Sequence, residues 1–314
     1  MKFALQCPGQ GSQSLGMLSD LAEQYEVVIE VFAEASKKLG YDLWSLVQQG
    51  PKKQLNETEF TQPALLAADV AVWRCWQQLG GPWPTLLSGH SLGEYAALVI
   101  AESLEFSAAI ELVALRGREM QNAVAVGEGG MAAIIGLEEK VVSEICQDAS
   151  KLGIVSPANF NSVGQVVISG QVEAVEEAIV LAKRQGATIA TRIPVSVPSH
   201  CLLMQPAAER LKQKLATVNV CTPRIPVIHN VDVKTHESPE AIRNALVQQL
   251  VSPVRWVETV LAMESAGVEL FIECGPGKVI AGLNKRITKS VPTYSINTVQ
   301  SLRSTLERLK DAVK

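Results

Sequence analysis

The sequence predicts an α/β protein: a hydrolase-like large domain with a parallel sheet, and a ferredoxin-like small domain inserted into it. Three observations predict this. Short apolar runs alternate with helical patterns at both ends of the chain, the rhythm of a parallel sheet covered on both faces. The middle of the chain changes to the order βαββαβ, the split unit of ferredoxin-like folds. Between them, "LLSGHSLGEYAAL" (residues 86–98) sets Gly89-His90-Ser91-Leu92-Gly93 where an apolar run gives way to an alanine-rich one. That is the strand-to-helix context of a nucleophile elbow.

Taken in order, Phe3 to Cys7 reads as a strand, "PGQGSQSLG" as a glycine-rich loop, and helical patterns follow to about residue 49. Gln62 to Leu79 carries apolar residues at helical spacing, and the Gly80-Gly81-Pro82 cluster ends it. The elbow comes next. Ser107 is expected to cap the helix "SAAIELVALRGREMQNA", which runs into the glycine cluster "VGEGG". Then "MAAIIG", "EEKVVSEICQDASKL", "IVSPANF", "GQVVISG", "VEAVEEAIVLAKRQG" and "ATIATRI" give the βαββαβ series, and the two prolines of "PVSVPSH" suit a domain crossing. Longer alternation resumes with a helix from about Leu202 to Ala216, a strand at "IPVIHNV", two helices, the strand "VELFIEC", a "GPGK" loop and a further helix. The large catalytic domain is therefore expected over residues 1–125 and 197–314, and the insert over 126–196.

At 314 residues, 47% hydrophobic and 19% charged, the chain can bury a core and still form a cleft. A net charge of -4, with no dense Lys/Arg block, argues against a dedicated nucleic-acid binder. No window approaches the roughly 18 apolar residues of a membrane span, and "MKFAL" is too short an apolar start for a signal peptide. The expectation is a soluble, cytoplasmic protein. Cys7, Cys75, Cys146, Cys201, Cys221 and Cys274 show neither C-x-x-C pairing nor zinc spacing, so reduced thiols and no metal are expected. Cys201 follows a histidine and is a candidate nucleophile, set against the plainer reading of a buried core thiol.

The bare G-x-S-x-G pattern arises by chance roughly once in ten chains of this length; its setting makes Ser91 a candidate nucleophile. A serine hydroxyl needs a base, and the chain has four histidines. His90 adjoins Ser91 and should point away from it. His236 lies in a polar loop, His229 ends an apolar strand, and His200 precedes a helix where the chain re-enters the large domain; pattern favours His200 only modestly over His229. The loop "PGQGSQSLG" lacks both the Walker ending and G-x-G-x-x-G, so its amides suit one half of an oxyanion hole, or a plain tight turn. The first reading assigns the backbone N–H groups of Gln10 and Leu92. Arg116 has Leu112, Val113 and Met120 one turn away, so it projects from an apolar face. A buried guanidinium wants a carboxylate; an ion pair with Glu119 or a snorkelling side chain is the equal alternative.

Together "PGQGSQ", "TQPAL", "GHSLGEYAAL", "LRGREMQ", "PVSVPSH", "SPVRW" and "ECGPGKV" stand in the order and spacing of the malonyl-CoA:acyl carrier protein transacylases of type II fatty acid synthesis, and the chain resembles that family over nearly its whole length. The resemblance implies that Ser91 is malonylated and that His200 is general base, then general acid. It implies that the Gln10 and Leu92 amides hold the oxyanion, Arg116 grips the malonyl carboxylate, and the backbone carbonyl of Gln249 orients the histidine. "NFNS" at Asn159 to Ser162 also matches, near the coenzyme A side of the cleft. The implied partners are malonyl-CoA and, transiently, an acidic acyl carrier protein, met by an expected monomer with no bound cofactor. Lys285, Arg286 and Lys289 on the last helix, or Lys183 and Arg184 on the insert, are candidate docking residues. A trans-acting polyketide acyltransferase, a serine esterase or thioesterase, and a non-enzymatic nucleotide-binding protein are the competing readings.

Overall fold

The computed structural model describes residues 1–195 and 197–311. The expected domain limits at 196 and 314 fall outside the described residues. Nine strands occur among those described: β1 (Phe3–Cys7), β2 (Leu86–Gly89), β3 (Gly129–Ile135), β4 (Val155–Ser162), β5 (Gln165–Gln171), β6 (Ile189–Arg192), β7 (Val227–Ile228), β8 (Leu270–Glu273) and β9 (Thr293–Ser295). The first sheet has the order β7-β2-β1-β8-β9 and is parallel at every pairing. β1 is buried along its whole length, which is why "FALQC" reads as an apolar run without alternation. The second sheet, β4-β5-β3-β6, is antiparallel throughout. Both helices of that segment, Glu139–Ala149 and Val172–Arg184, share one apolar core with it, separate from the larger core around β1 and β2. The α/β class and the ferredoxin-like order of the insert match expectation.

Four local expectations are corrected. The helix expected from Gln62 runs from Thr58 to Gln78, one turn earlier, and carries Pro63 inside it. Helix Phe106–Asn122 is capped by Glu105, not Ser107: one carboxylate takes the Ser107 and Ala108 amides, and the Ser107 hydroxyl also donates to it. A hydroxyl has one oxygen for two orphan amides; a carboxylate has two. The strand at "IPVIHNV" shrinks to Val227–Ile228 because the chain then folds into a turn, with His229 N donating to Lys234 O and Val233 N to His229 O. Finally, helix Val279–Ile287 is not the last: β9 and helix Val299–Asp311 follow, and Lys289 lies beyond the helix that holds Lys285 and Arg286. Among the described residues no helix is long and apolar enough to cross a membrane.

Candidate active site

The elbow is built by glycines that admit nothing larger. A Cβ on Gly89 would sit 1.9 Å from the Gly93 carbonyl carbon, and one on Gly93 would sit 2.1 Å from the Cys7 carbonyl oxygen. This lets helix Gly93–Ile100 start directly against the ends of β1 and β2. Ser91 is forced into the left-handed region at φ 52°, so its Oγ leaves the backbone toward a cleft of about 690 Å³. Gly9 packs equally tightly on the carbonyl of His90, bringing the loop that carries Gln10 against the elbow. Gln10 and Leu92 both line the cleft, and neither backbone N–H donates to another protein group among the described residues.

The histidine question resolves by distance. His200 Nε2 lies 2.7 Å from Ser91 Oγ, and His200 Nδ1 lies 2.8 Å from the backbone oxygen of Gln249. A carbonyl can only accept, so Nδ1 carries the proton and Nε2 is left as acceptor for the serine hydroxyl. His200 also takes a left-handed conformation, φ 62°, and is buried. Burial, then the nearby Arg116 charge, lowers its pKa to about 3. The other three histidines are occupied elsewhere. His90 meets Asn161 Oδ1 at 2.8 Å beside the Trp256 ring, His236 pairs with Asp232, and His229 Nδ1 meets Glu94 Oε1 at 2.7 Å behind the elbow. The Cys201 thiol points away, donating to Pro198 O, and burial raises its pKa, so the nucleophile alternative fails there.

Arg116 comes from the helix Phe106–Asn122, drawn close to helix Thr58–Gln78 because Gly117 faces the Thr58 carbonyl with no room for a Cβ. Its side chain is 1% exposed. Nη2 donates to Ser91 Oγ at 3.3 Å and to Gln249 Oε1 at 3.0 Å, and the guanidinium faces the Tyr95 ring. It forms no ion pair among the described residues, with Glu119 or any other carboxylate, and Nε has no acceptor. The ion-pair and snorkelling alternatives therefore give way to a buried cation inside the cleft.

Sequence reasoning missed the support beneath these groups. Glu94, fully buried, accepts from His229 Nδ1, Asn230 N and Gln249 Nε2. Asn230 accepts from the Ser91 amide at 2.7 Å and donates to Gly89 O at 2.7 Å. Glu94 reads in sequence as an ordinary first-turn acid and Asn230 as a loop residue; neither carries a local signal. Of the "NFNS" residues, Asn159 and Asn161 line the cleft from β4. Beside it, Lys278, Lys285 and Lys289 line a second hollow of about 530 Å³, and Arg286 reaches Gln165 Oε1 at 2.8 Å. Lys183 and Arg184 end the helix Val172–Arg184 and line neither hollow.

A serine at a strand-helix elbow, a histidine at its hydroxyl and, in the same cleft, an arginine with no ion pair among the described residues suit the chemistry of an acyl transferase. The acyl transferase domain family matches residues 6–305. The malonyl CoA-acyl carrier protein transacylases of Escherichia coli and Haemophilus influenzae are 52% and 53% identical to this chain over 98% of it and 99% of each relative. The solved transacylase of Coxiella burnetii superposes with a TM-score of 0.97 at 55% identity, covering 98% of both chains. A malonyl-transacylase solved in complex with a type II PKS acyl-carrier protein gives 0.97 at 54% identity, covering 98% of this chain and all of that one. This chain belongs to the malonyl-CoA:acyl carrier protein transacylase family.

Proposed function

We propose that this protein moves the malonyl group from malonyl-CoA to the phosphopantetheine thiol of acyl carrier protein through a malonyl-Ser91 intermediate, in fatty acid biosynthesis. Ser91 Oγ attacks the thioester carbonyl as His200 Nε2 accepts the hydroxyl proton. The tetrahedral oxyanion is held by the amides of Gln10 and Leu92, which have no other protein acceptor among the described residues. His200 returns the proton to the departing coenzyme A sulfur. The carrier thiol then enters the same cleft, loses its proton to His200 and takes the acyl group, and His200 gives that proton back to Ser91. Throughout, the Gln249 carbonyl holds the imidazole in the tautomer that accepts at Nε2. The observation that carries the reading is the convergence on one hydroxyl of His200 Nε2 at 2.7 Å and Arg116 Nη2 at 3.3 Å. A hydrolytic esterase has no use for that guanidinium; a malonyl ester has its free carboxylate one methylene beyond the carbonyl, within reach of it. Mixing the protein with malonyl-CoA and measuring intact mass should give a malonyl adduct, absent in Ser91→Ala. A folded wild-type protein that takes no adduct sinks the proposal.

The carrier protein docks, in this reading, over the hollow lined by Lys278, Lys285 and Lys289, whose cations suit an acidic partner. Reversing the charges of Lys285 and Lys289 should raise KM for the carrier protein and leave that for malonyl-CoA unchanged; equal effects on both refute this placement. The polyketide reading gains support from the relative solved with a type II PKS carrier, and kcat/KM compared between fatty acid and polyketide carrier proteins decides between the two. We extend the proposal to a monomer, which light scattering of the purified protein checks, and to a cytoplasmic location, which cell fractionation checks.

A further inference from the structure

Gln249 ends the helix Pro239–Gln249 and is 1% exposed. Its carbonyl takes His200, but its side chain makes a separate set of bonds. Oε1 accepts from Arg116 Nη2 at 3.0 Å; Nε2 donates to the Ser91 carbonyl at 3.0 Å and to Glu94 Oε2 at 2.9 Å, with Asn230 Oδ1 at 3.5 Å. A glutamine amide can face either way, and its neighbours decide which. All three groups at Nε2 are acceptors. The Asn230 oxygen is itself fixed, because it receives the Ser91 amide while Nδ2 donates to Gly89 O. Turning the Gln249 amide over would aim its oxygen at the Glu94 carboxylate and its NH2 at the Arg116 guanidinium, losing every bond. Glu94 cannot follow such a turn, since His229 Nδ1 holds Oε1 at 2.7 Å and Asn230 N holds Oε2 at 2.9 Å.

The consequence falls on Arg116. Its shortest polar contact is Gln249 Oε1. That acceptor is neutral, so it directs the guanidinium without cancelling its charge. A carboxylate at the same point would pair with Arg116 and compete with any anionic acyl group. We propose that the Gln249 side chain, locked in one orientation by Glu94, is a positioning residue for acyl selectivity: it holds Arg116 at Ser91 while leaving its charge to the substrate.

This rests on the reading that Arg116 receives the malonyl carboxylate, and the test separates the two claims. kcat/KM is measured for malonyl-CoA and acetyl-CoA, with saturating carrier protein, in wild type, Arg116→Ala, Gln249→Met and Glu94→Gln, with thermal melting to check folding. Gln249→Met keeps the carbonyl that His200 needs and removes only the amide. It should lower the malonyl value by about tenfold to a hundredfold more than it lowers the acetyl value, the worth of one charge-assisted hydrogen bond. Glu94→Gln, which unlocks the amide, should shift the ratio the same way by less. A parallel fall for both substrates in Gln249→Met means a merely structural role and overturns the inference, as does an unchanged ratio. If Gln249→Met does not fold, Glu94→Gln decides by the same criteria. If Arg116→Ala keeps malonyl selectivity, the reading of Arg116 fails; if it loses selectivity while Gln249→Met keeps it, only the present inference fails.

Discussion

The two sides of Ser91 hold two buried histidines in opposite kinds of company. In front, within the cleft, His200 has a backbone carbonyl at Nδ1 and a guanidinium nearby. Behind the elbow, His229 has the Glu94 carboxylate at Nδ1 and an Nε2 with no hydrogen-bond partner among the described residues. Judged by residue types alone, the rear pair looks more like a catalytic dyad. The difference teaches what the front cannot contain. A carboxylate beside His200 would also stand near Arg116 and pair with it, closing the position proposed for the malonyl carboxylate. The carbonyl orients the imidazole with no net charge, and the acid is kept behind the elbow, where it organises Gln249 and Asn230.

The largest effects expected from this contrast come from the two histidines. His200→Ala should cut kcat/KM by about 100- to 10,000-fold, the usual contribution of a positioned general base, with little change in melting temperature. His229→Ala should do the reverse. Glu94 Oε1 loses its donor in a fully buried site, so stability falls by about 3 kcal/mol. Activity should stay within about tenfold of wild type, because Oε2 keeps Gln249 and Asn230. Thermal melting and steady-state kinetics on both variants check this; a catalytic loss in His229→Ala as deep as in His200→Ala would erase the distinction between front and rear.

Arg116→Ala comes next. Removing the cleft's unpaired cation should lower malonyl transfer by about a hundredfold or more while uncharged acyl transfer is kept or rises, since an expensive buried charge goes with it. Competition between malonyl-CoA and acetyl-CoA for one carrier protein measures this. Unchanged malonyl preference would mean that the front does not reserve its charge for substrate.

How much of this was legible in the sequence follows from what each group must be. Ser91 needs glycines at Gly89 and Gly93, a pattern that sequence carries. Arg116 was visible as a cation on an apolar helical face, but whether Glu119 paired with it depended on side-chain direction. His200 lies 109 residues from Ser91, and no local rule brings them together. Gln249 works through a carbonyl that every residue has, so only the family resemblance pointed to it. Glu94 was invisible for another reason: an acid in a first helical turn is ordinary, and its three donors come from distant segments. The fold read more fully because strand and helix periods are local, and its errors lie at element ends: the start of helix Thr58–Gln78, the cap at Glu105, the short β7 and the chain beyond Ile287.

The smallest expected effect is in pH dependence, and it tests the front alone. With its pKa held down to about 3, His200 stays neutral and able to accept a proton well below the ordinary histidine value of 6.5. The kcat/KM profile for malonyl transfer should therefore show no fall centred near pH 6.5, and should be flat from about pH 5 to 8. Stability carries the opposite sign. In the unfolded chain His200 protonates as pH drops through its ordinary value, while in the folded protein it does not. The unfolded state thus binds the extra proton, and folding weakens as pH falls from 6.5 toward 3, by up to about 1.4 kcal/mol per pH unit for one such group. His90, partly buried and with its pKa lowered by desolvation, adds in the same direction. Denaturant melts at pH 7.5 and 5 should show that loss and His200→Ala should reduce it. An acid limb near pH 6.5 in kcat/KM that is absent from the stability curve would instead mean that His200 titrates as an ordinary exposed histidine, with the burial and the Arg116 charge exerting no hold on it.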